Sequence, residues 1–111
     1  MLLLSLDRMK VDGLIFNQVN IEHIARHNVL PTEVKQLLEG ETLFLKAKLE
    51  RIMAIGQTKK GRSLAVILEK VRGNTYFVVT ARDADRKERR MYKEGFEGGE
   101  AKEESYEKNS N

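Results

Sequence analysis

His23 and His27 stand four residues apart, the spacing that places two side chains on one face of a helix. An imidazole titrates near neutral pH, so either can take up or give a proton. The pair could also hold a metal, but no third ligand lies near it in sequence and Cys is absent, so no metal is expected. The second group of chemical interest is cationic. Lys59, Lys60 and Arg62 flank a polar turn, Arg82 closes an apolar run, and Arg86, Arg89, Arg90 and Lys93 follow at helical spacing. A planar guanidinium grips phosphate oxygens with two parallel N–H groups, so such a cluster suits a polyanion. Arg51 follows Glu50 in a strand-like stretch, where only one of the two can point to a given face. It can steady a phosphate or pair with a neighbouring Glu. The plainer account of all these cations is a solvated surface with scattered counter-ions. Tyr76 and Tyr92 suit packing better than base stacking. A Gly-rich phosphate loop, a nucleophile elbow and a paired-carboxylate pattern are all missing from the sequence.

The elements that must position these residues belong to one domain, since 111 residues can build one core and not two. Hydrophobic residues make up 41% and charged residues 33%, the balance of a globular chain. Without Cys there is no disulfide framework and no thiolate chemistry, which fits a reducing compartment. Six of the 17 acidic residues follow Lys93, so the preceding part is more basic than the net charge of +3 indicates. A basic fold beside a short acidic tail is consistent with a polyanionic partner. No run approaches a transmembrane span, and Met1 to Leu6 lacks the basic flank of a signal peptide, so a cytoplasmic location is expected with no membrane partner. Met9 is a plausible alternative start, which would make residues 1–10 an N-terminal extension.

Val11 to Phe16 alternates like a short strand. Asn20 reads as the N-cap of a helix with Ile21, Ile24 and Ala25 on one face, ending near Asn28. Pro31 opens a second helix with a Val34, Leu37 and Leu38 stripe, stopped by Gly40. Leu43 to Gly56 reads as one bent strand or two. Gln57 to Gly61 and Arg72 to Asn74 are hairpin turns, enclosing the apolar run Leu64 to Leu68 and followed by the β-forming run Tyr76 to Ala81. Asp85 and Glu88 form a capping box for a helix from Arg86 to Lys93. Residues 94–111 read as a disordered acidic tail. The expected fold is therefore α+β, with two N-terminal helices on an antiparallel sheet of three to four strands and a basic C-terminal helix. Folding the two hairpins back sets Arg62 opposite Gly56 and Leu64 opposite Arg82, gathering Lys59, Lys60, Arg62, Arg82 and Arg86 at one end of the sheet.

Three stretches in order resemble the BrnT family of bacterial toxins. Asn20-Ile21-Glu22-His23-Ile24-Ala25-Arg26-His27-Asn28-Val29, with Pro31-Thr32-Glu33-Val34, is similar to the family's first helix, turn and second helix. Glu50-Arg51-Ile52-Met53-Ala54-Ile55-Gly56, with Gly61-Arg62, resembles its Glu-Arg strand and the Gly-Arg that opens the next. Thr80-Ala81-Arg82 and Arg86-Lys87-Glu88-Arg89-Arg90-Met91-Tyr92 resemble its Ser-Ala-Arg ending and closing basic helix. Phe16-Asn17 departs from the usual Trp-Asp, and Asn28 stands where Gly is common. The resemblance covers about residues 13 to 93, within a domain set at 11–93. It implies a RelE-like fold and a cytoplasmic, metal- and cofactor-independent endoribonuclease. Such a toxin inhibits translation as part of a type II toxin–antitoxin pair and is neutralised by a ribbon-helix-helix antitoxin. In that reading Arg51 and Arg82 stabilise transition-state charge, His27 moves a proton, and Lys59, Lys60, Arg62, Arg86, Arg89 and Arg90 bind RNA. The alternative is a non-catalytic nucleic-acid-binding or regulatory module on the same fold.

Overall fold

The computed structural model describes residues 9–97; the first eight residues and the acidic tail from residue 98 lie outside it. Strand β1 (Gly13–Ile15) leads into helix α1 (Gln18–Ala25). Asn17, with extended backbone, caps that helix by accepting the Asn20 N–H at 2.9 Å. Asn20 is therefore not the cap that the sequence suggested. Asn17 is the first side chain past β1 able to accept, and it starts the helix one turn earlier. This releases Asn20 for another task. Its buried amide donates to the Val78 carbonyl at 2.8 Å and tethers α1 to a strand edge. Asn28 ends the turn after α1 in the left-handed region, φ 61°.

Pro31 opens helix α2 (Pro31–Glu39). Leu30 has no side-chain acceptor, so only half of a capping box forms: the Leu30 N–H donates to Glu33 Oε1 at 2.9 Å. The chain continues through β2 (Leu43–Lys46), a 3₁₀ turn (Lys48–Glu50), β3 (Ile52–Gln57), β4 (Ser63–Arg72), β5 (Thr75–Asp83) and α3 (Arg86–Glu97). Helix α3 runs four residues past its expected end at Lys93, so 94–97 are helix and not tail.

The strands form one five-stranded sheet in the order β1-β5-β4-β3-β2. β1 runs parallel to β5 and every other pair is antiparallel. The sheet is thus mixed and larger than the antiparallel one of three to four strands expected. Its edges are short strands of three and four residues: β1 lies within the strand read over Val11 to Phe16, and β2 is the first of the two strands that Leu43 to Gly56 allowed. Short edges resist unwanted pairing between molecules.

Both sheet faces are covered in part. Leu64, Val66 and Leu68 point to the α1–α2 side with Ile24, Val29, Val34, Leu37 and Phe44. Ala65 points the other way, towards Leu43, Leu45, Ile55 and Ala84 beneath α3. β4 is buried on both faces over this stretch, which is why it reads as a continuous apolar run. Gly56 lies directly under α2: a Cβ there would stand 2.9 Å from Leu37 Cγ and 3.2 Å from the Glu41 carbonyl oxygen. Gly56→Ala is expected to cost about 1–3 kcal/mol through overpacking, seen as a lower urea midpoint at unchanged slope. Among the described residues no helix is long and apolar enough to cross a membrane.

Candidate nucleic-acid interface

Strand register decides where the cations go. Gly56 pairs with Leu64, and the Thr58 N–H donates to the Arg62 carbonyl, so Arg62 sits opposite Thr58 and not Gly56. Leu64 pairs with Asp83, and Arg82 with Ala65, one residue from the expected register. In a strand one residue reverses the face. Arg62 and Asp83 therefore share the α1–α2 side with Leu64, whereas Arg82 shares the α3 side with Ala65. The anticipated single cluster is split by the sheet itself.

Each of these arginines is held by the fold. Arg62 Nε donates to Asp83 Oδ1 at 2.8 Å, Nη1 to Glu33 Oε1 at 3.2 Å and to the Asn28 carbonyl, and Nη2 to the His27 carbonyl at 3.1 Å. One guanidinium thus closes the α1–α2 turn, whose carbonyls no helix bond satisfies, and little of its donor capacity is left for a phosphate. The hydrogen bond from Arg62 holds the Asp83 carboxyl below its usual range and raises the Arg62 guanidinium.

Arg82 makes a two-pronged pair with Glu88, Nη1 to Oε1 and Nη2 to Oε2, both 2.8 Å. Glu88 Oε1 also accepts the Asp85 N–H at 2.9 Å while the Glu88 N–H donates to Asp85 Oδ1 at 2.8 Å. The expected capping box is present, and Arg82 locks onto its carboxylate. Hydrogen bonds from Arg82 hold the Glu88 carboxyl below its usual range against the opposing effect of burial.

The catalytic set implied by the resemblance does not converge. His27 is exposed on the α1–α2 turn, its ring edge-on to His23 with centroids 5.5 Å apart. His23 Nε2 lies 3.0 Å from Thr80 Oγ1. His27 and Arg62 meet at this corner. Arg51 lies one residue beyond the Ile52–Leu68 pair and closest to Glu69, whereas Arg82 faces Ala65, about 13 Å away along β4. His23 and His27 acquire no third ligand: among the described residues no group of three His, Cys, Asp or Glu could hold a metal.

The binding residues fare differently. On α3, Glu88, Met91, Tyr92 and Gly95 recur at i, i+3, i+4 and i+7, and this face turns inward. Glu88 is buried, Met91 and Tyr92 pack on the cluster under the helix, and Gly95 abuts Leu43. Arg86, Arg89, Arg90 and Lys93 repeat the same interval on the opposite face, and all four are exposed. Arg89 spends one donor on the Ala84 carbonyl at 2.7 Å. At the sheet end, Tyr92 donates to the Glu41 carbonyl at 3.1 Å and lines a hollow with Lys59, Gln36 and Gln57. Lys59 and Lys60 are exposed at the β3–β4 turn, whose Gly61 has φ +86°.

Sequence reasoning missed the arginine clasp around the α1–α2 turn and the His23–Thr80 contact. The acidic residue following Arg82 was the available signal for the clasp. Comparison with protein families, with curated proteins and with solved structures finds no match to this chain.

Proposed function

We propose that the chain is a cytoplasmic, non-catalytic RNA-binding module on a RelE-like scaffold, gripping backbone phosphates along the outer face of α3 and at the β3–β4 turn. One observation carries this reading: α3 separates its residues into an inward face anchored by Glu88, Met91, Tyr92 and Gly95 and an outward face of Arg86, Arg89, Arg90 and Lys93. These cations stand on a rigid helix without a carboxylate bonded to any of them among the described salt bridges. Phosphate contacts of this kind confer affinity without sequence preference, and few aromatic side chains are present to read bases.

The endoribonuclease toxin, neutralised by a ribbon-helix-helix antitoxin, is the second reading. The His23–His27 pair beside Thr80 and Asp83 favours it, because two imidazoles can serve as base and acid for attack by a 2′-hydroxyl. One experiment separates the two. The full chain is titrated into labelled single-stranded RNA at several salt concentrations, and the same samples are run on denaturing gels. Binding with a log–log salt slope of roughly −3.5 to −4, as for five or six phosphate contacts, with intact RNA is the expected result. Cleavage abolished by His27→Ala would establish the toxin reading, and absence of binding at low salt would reject both.

A further inference from the structure

Helix α3 crosses only one end of its sheet face. It covers Leu43, Leu45, Ile55 and Ala65. Strand register places Ile15, Phe77 and Ile67 on the same face beyond it, with Met53 at the border, packed on the covered cluster: Ile15 pairs with Phe77 and Ile67 with Met53, each offset by one from residues of the opposite core. None of the four is fully buried, and Ile15 is 39% exposed. At the rim, Leu49 is 78% exposed. Leu49 and Glu50 hold left-handed backbone, φ 60° and 59°, a conformation Leu rarely adopts and that costs about 1 kcal/mol or more.

Two opposite charges sit within this apolar field. Arg51 Nε is buried without a hydrogen-bond partner among the described residues. The nearest carboxylate, Glu69, reaches Arg51 Nη2 only at 3.9 Å, too far for a hydrogen bond. The Arg51 side chain is nonetheless 32% exposed and the Glu69 carboxylate side chain 50%, so both can face a second molecule. The patch thus presents a donor and an acceptor side by side, with no direct hydrogen bond between them at 3.9 Å.

We propose that this uncovered half of the sheet is a self-association surface, on which two copies meet face to face about a two-fold axis with Arg51 of each against Glu69 of the other. A patch bearing a positive and a negative group side by side is its own complement under a two-fold rotation. The apolar residues around them form the interior of the contact, and packing of sheet on sheet is a standard geometry for such faces. The cationic face of α3 points away from the sheet and is not consumed. The dimer therefore stands or falls separately from RNA binding.

Sedimentation velocity on the full chain over a range of concentrations tests this. A dimer in equilibrium with monomer is expected. Arg51→Glu and Glu69→Arg alone should each weaken it about tenfold or more, while an equimolar mixture of the two restores association, because only unlike chains then present opposite charges to one another. Restoration on mixing distinguishes contact between chains from the Arg51–Glu69 pair within one. Circular dichroism verifies folding of both variants. Should either misfold, Ile15→Glu, at an exposed edge position, is the substitute and should yield monomer. A wild-type chain that remains monomeric at every concentration, a dimer indifferent to these substitutions, or folded single variants that fail to associate on mixing would each overturn the proposal.

Discussion

Glu88→Ala is expected to lower the free energy of unfolding by about 2–3 kcal/mol, a large effect for a residue outside the apolar core. The carboxylate is 8% exposed and serves two partners, the Arg82 guanidinium and the Asp85 N–H that begins α3. Its removal strands a partly buried cation and the Asp85 N–H together, while Asp85 still accepts the backbone N–H at position 88. Arg82 is 38% exposed and can turn to water, which keeps the loss below that of a fully buried pair. Glu88→Gln retains an acceptor for the Asp85 N–H and should fall between the wild type and Glu88→Ala in urea unfolding at pH 7.

The same carboxylate sets the acid response. Its pKa in the fold is depressed below the ordinary 4.5, so the stabilisation is complete above that value and is lost as pH falls through the lower folded pKa. Asp83, depressed by Arg62, acts with the same sign and a smaller weight because it is largely exposed. Stability of the wild type should decline below about pH 4.5, and Glu88→Gln should flatten that decline. An unaltered acid profile in Glu88→Gln would show that the Arg82–Glu88 pair contributes nothing to it.

The second large effect concerns binding. Reversing Arg86 and Arg90 to Glu turns half of the outward face of α3 from attraction to repulsion and should weaken single-stranded RNA binding about 100-fold at moderate salt, with a shallower salt slope. Both residues are exposed, and Arg86 is the first residue of the helix, where a carboxylate is favoured by the helix dipole. Stability should accordingly change by no more than about 0.5 kcal/mol, so a loss of binding cannot be assigned to unfolding. Lys70→Glu, an exposed reversal at the far end of β4, is the control and should leave affinity within about threefold. Equal losses from the control and the double variant would refute α3 as the interface.

What could be read in the sequence followed from local chemistry. Pro31 has a fixed φ that suits a first helical turn, Asp85 and Glu88 carry their own reciprocal bonds, and the turns at Gly61 and Gly73 need the positive φ they adopt, 86° and 52°. What could not be read depended on distant partners. The interval between Asn17 and Asn20 is too short for periodicity to choose the cap; contact of Asn20 with Val78 shows which one is free to cap. The misplaced arginine has a definite cause. The turn is centred between Gly73 and Asn74, with Arg72 opposite Thr75, and the two one-residue irregularities beyond it, at Lys70/Arg72 and Ile67/Leu68, offset each other, so that Leu64 meets Asp83 and Arg82 lies on the other face. Simple folding about Gly73 would have set Arg82 beside Arg62. The residue types of the site were legible, but their convergence was not, because a turn centred one residue away places a strand residue opposite a different partner and on the other face.

The position of β1 bears on the order of events during folding. Gly13 meets Thr75 across most of the chain, whereas β4 and β5 are joined by a tight turn. Hairpins close quickly and distant parallel pairs slowly, so the sheet spends its early life with one flank of β5 open. β1 covers that flank only from Thr75 to Phe77. The carbonyl of Val78, just beyond, is taken by the Asn20 amide of α1. A helix side chain here completes what the three-residue strand cannot reach, and it shortens the open flank on which a second nascent chain could nucleate.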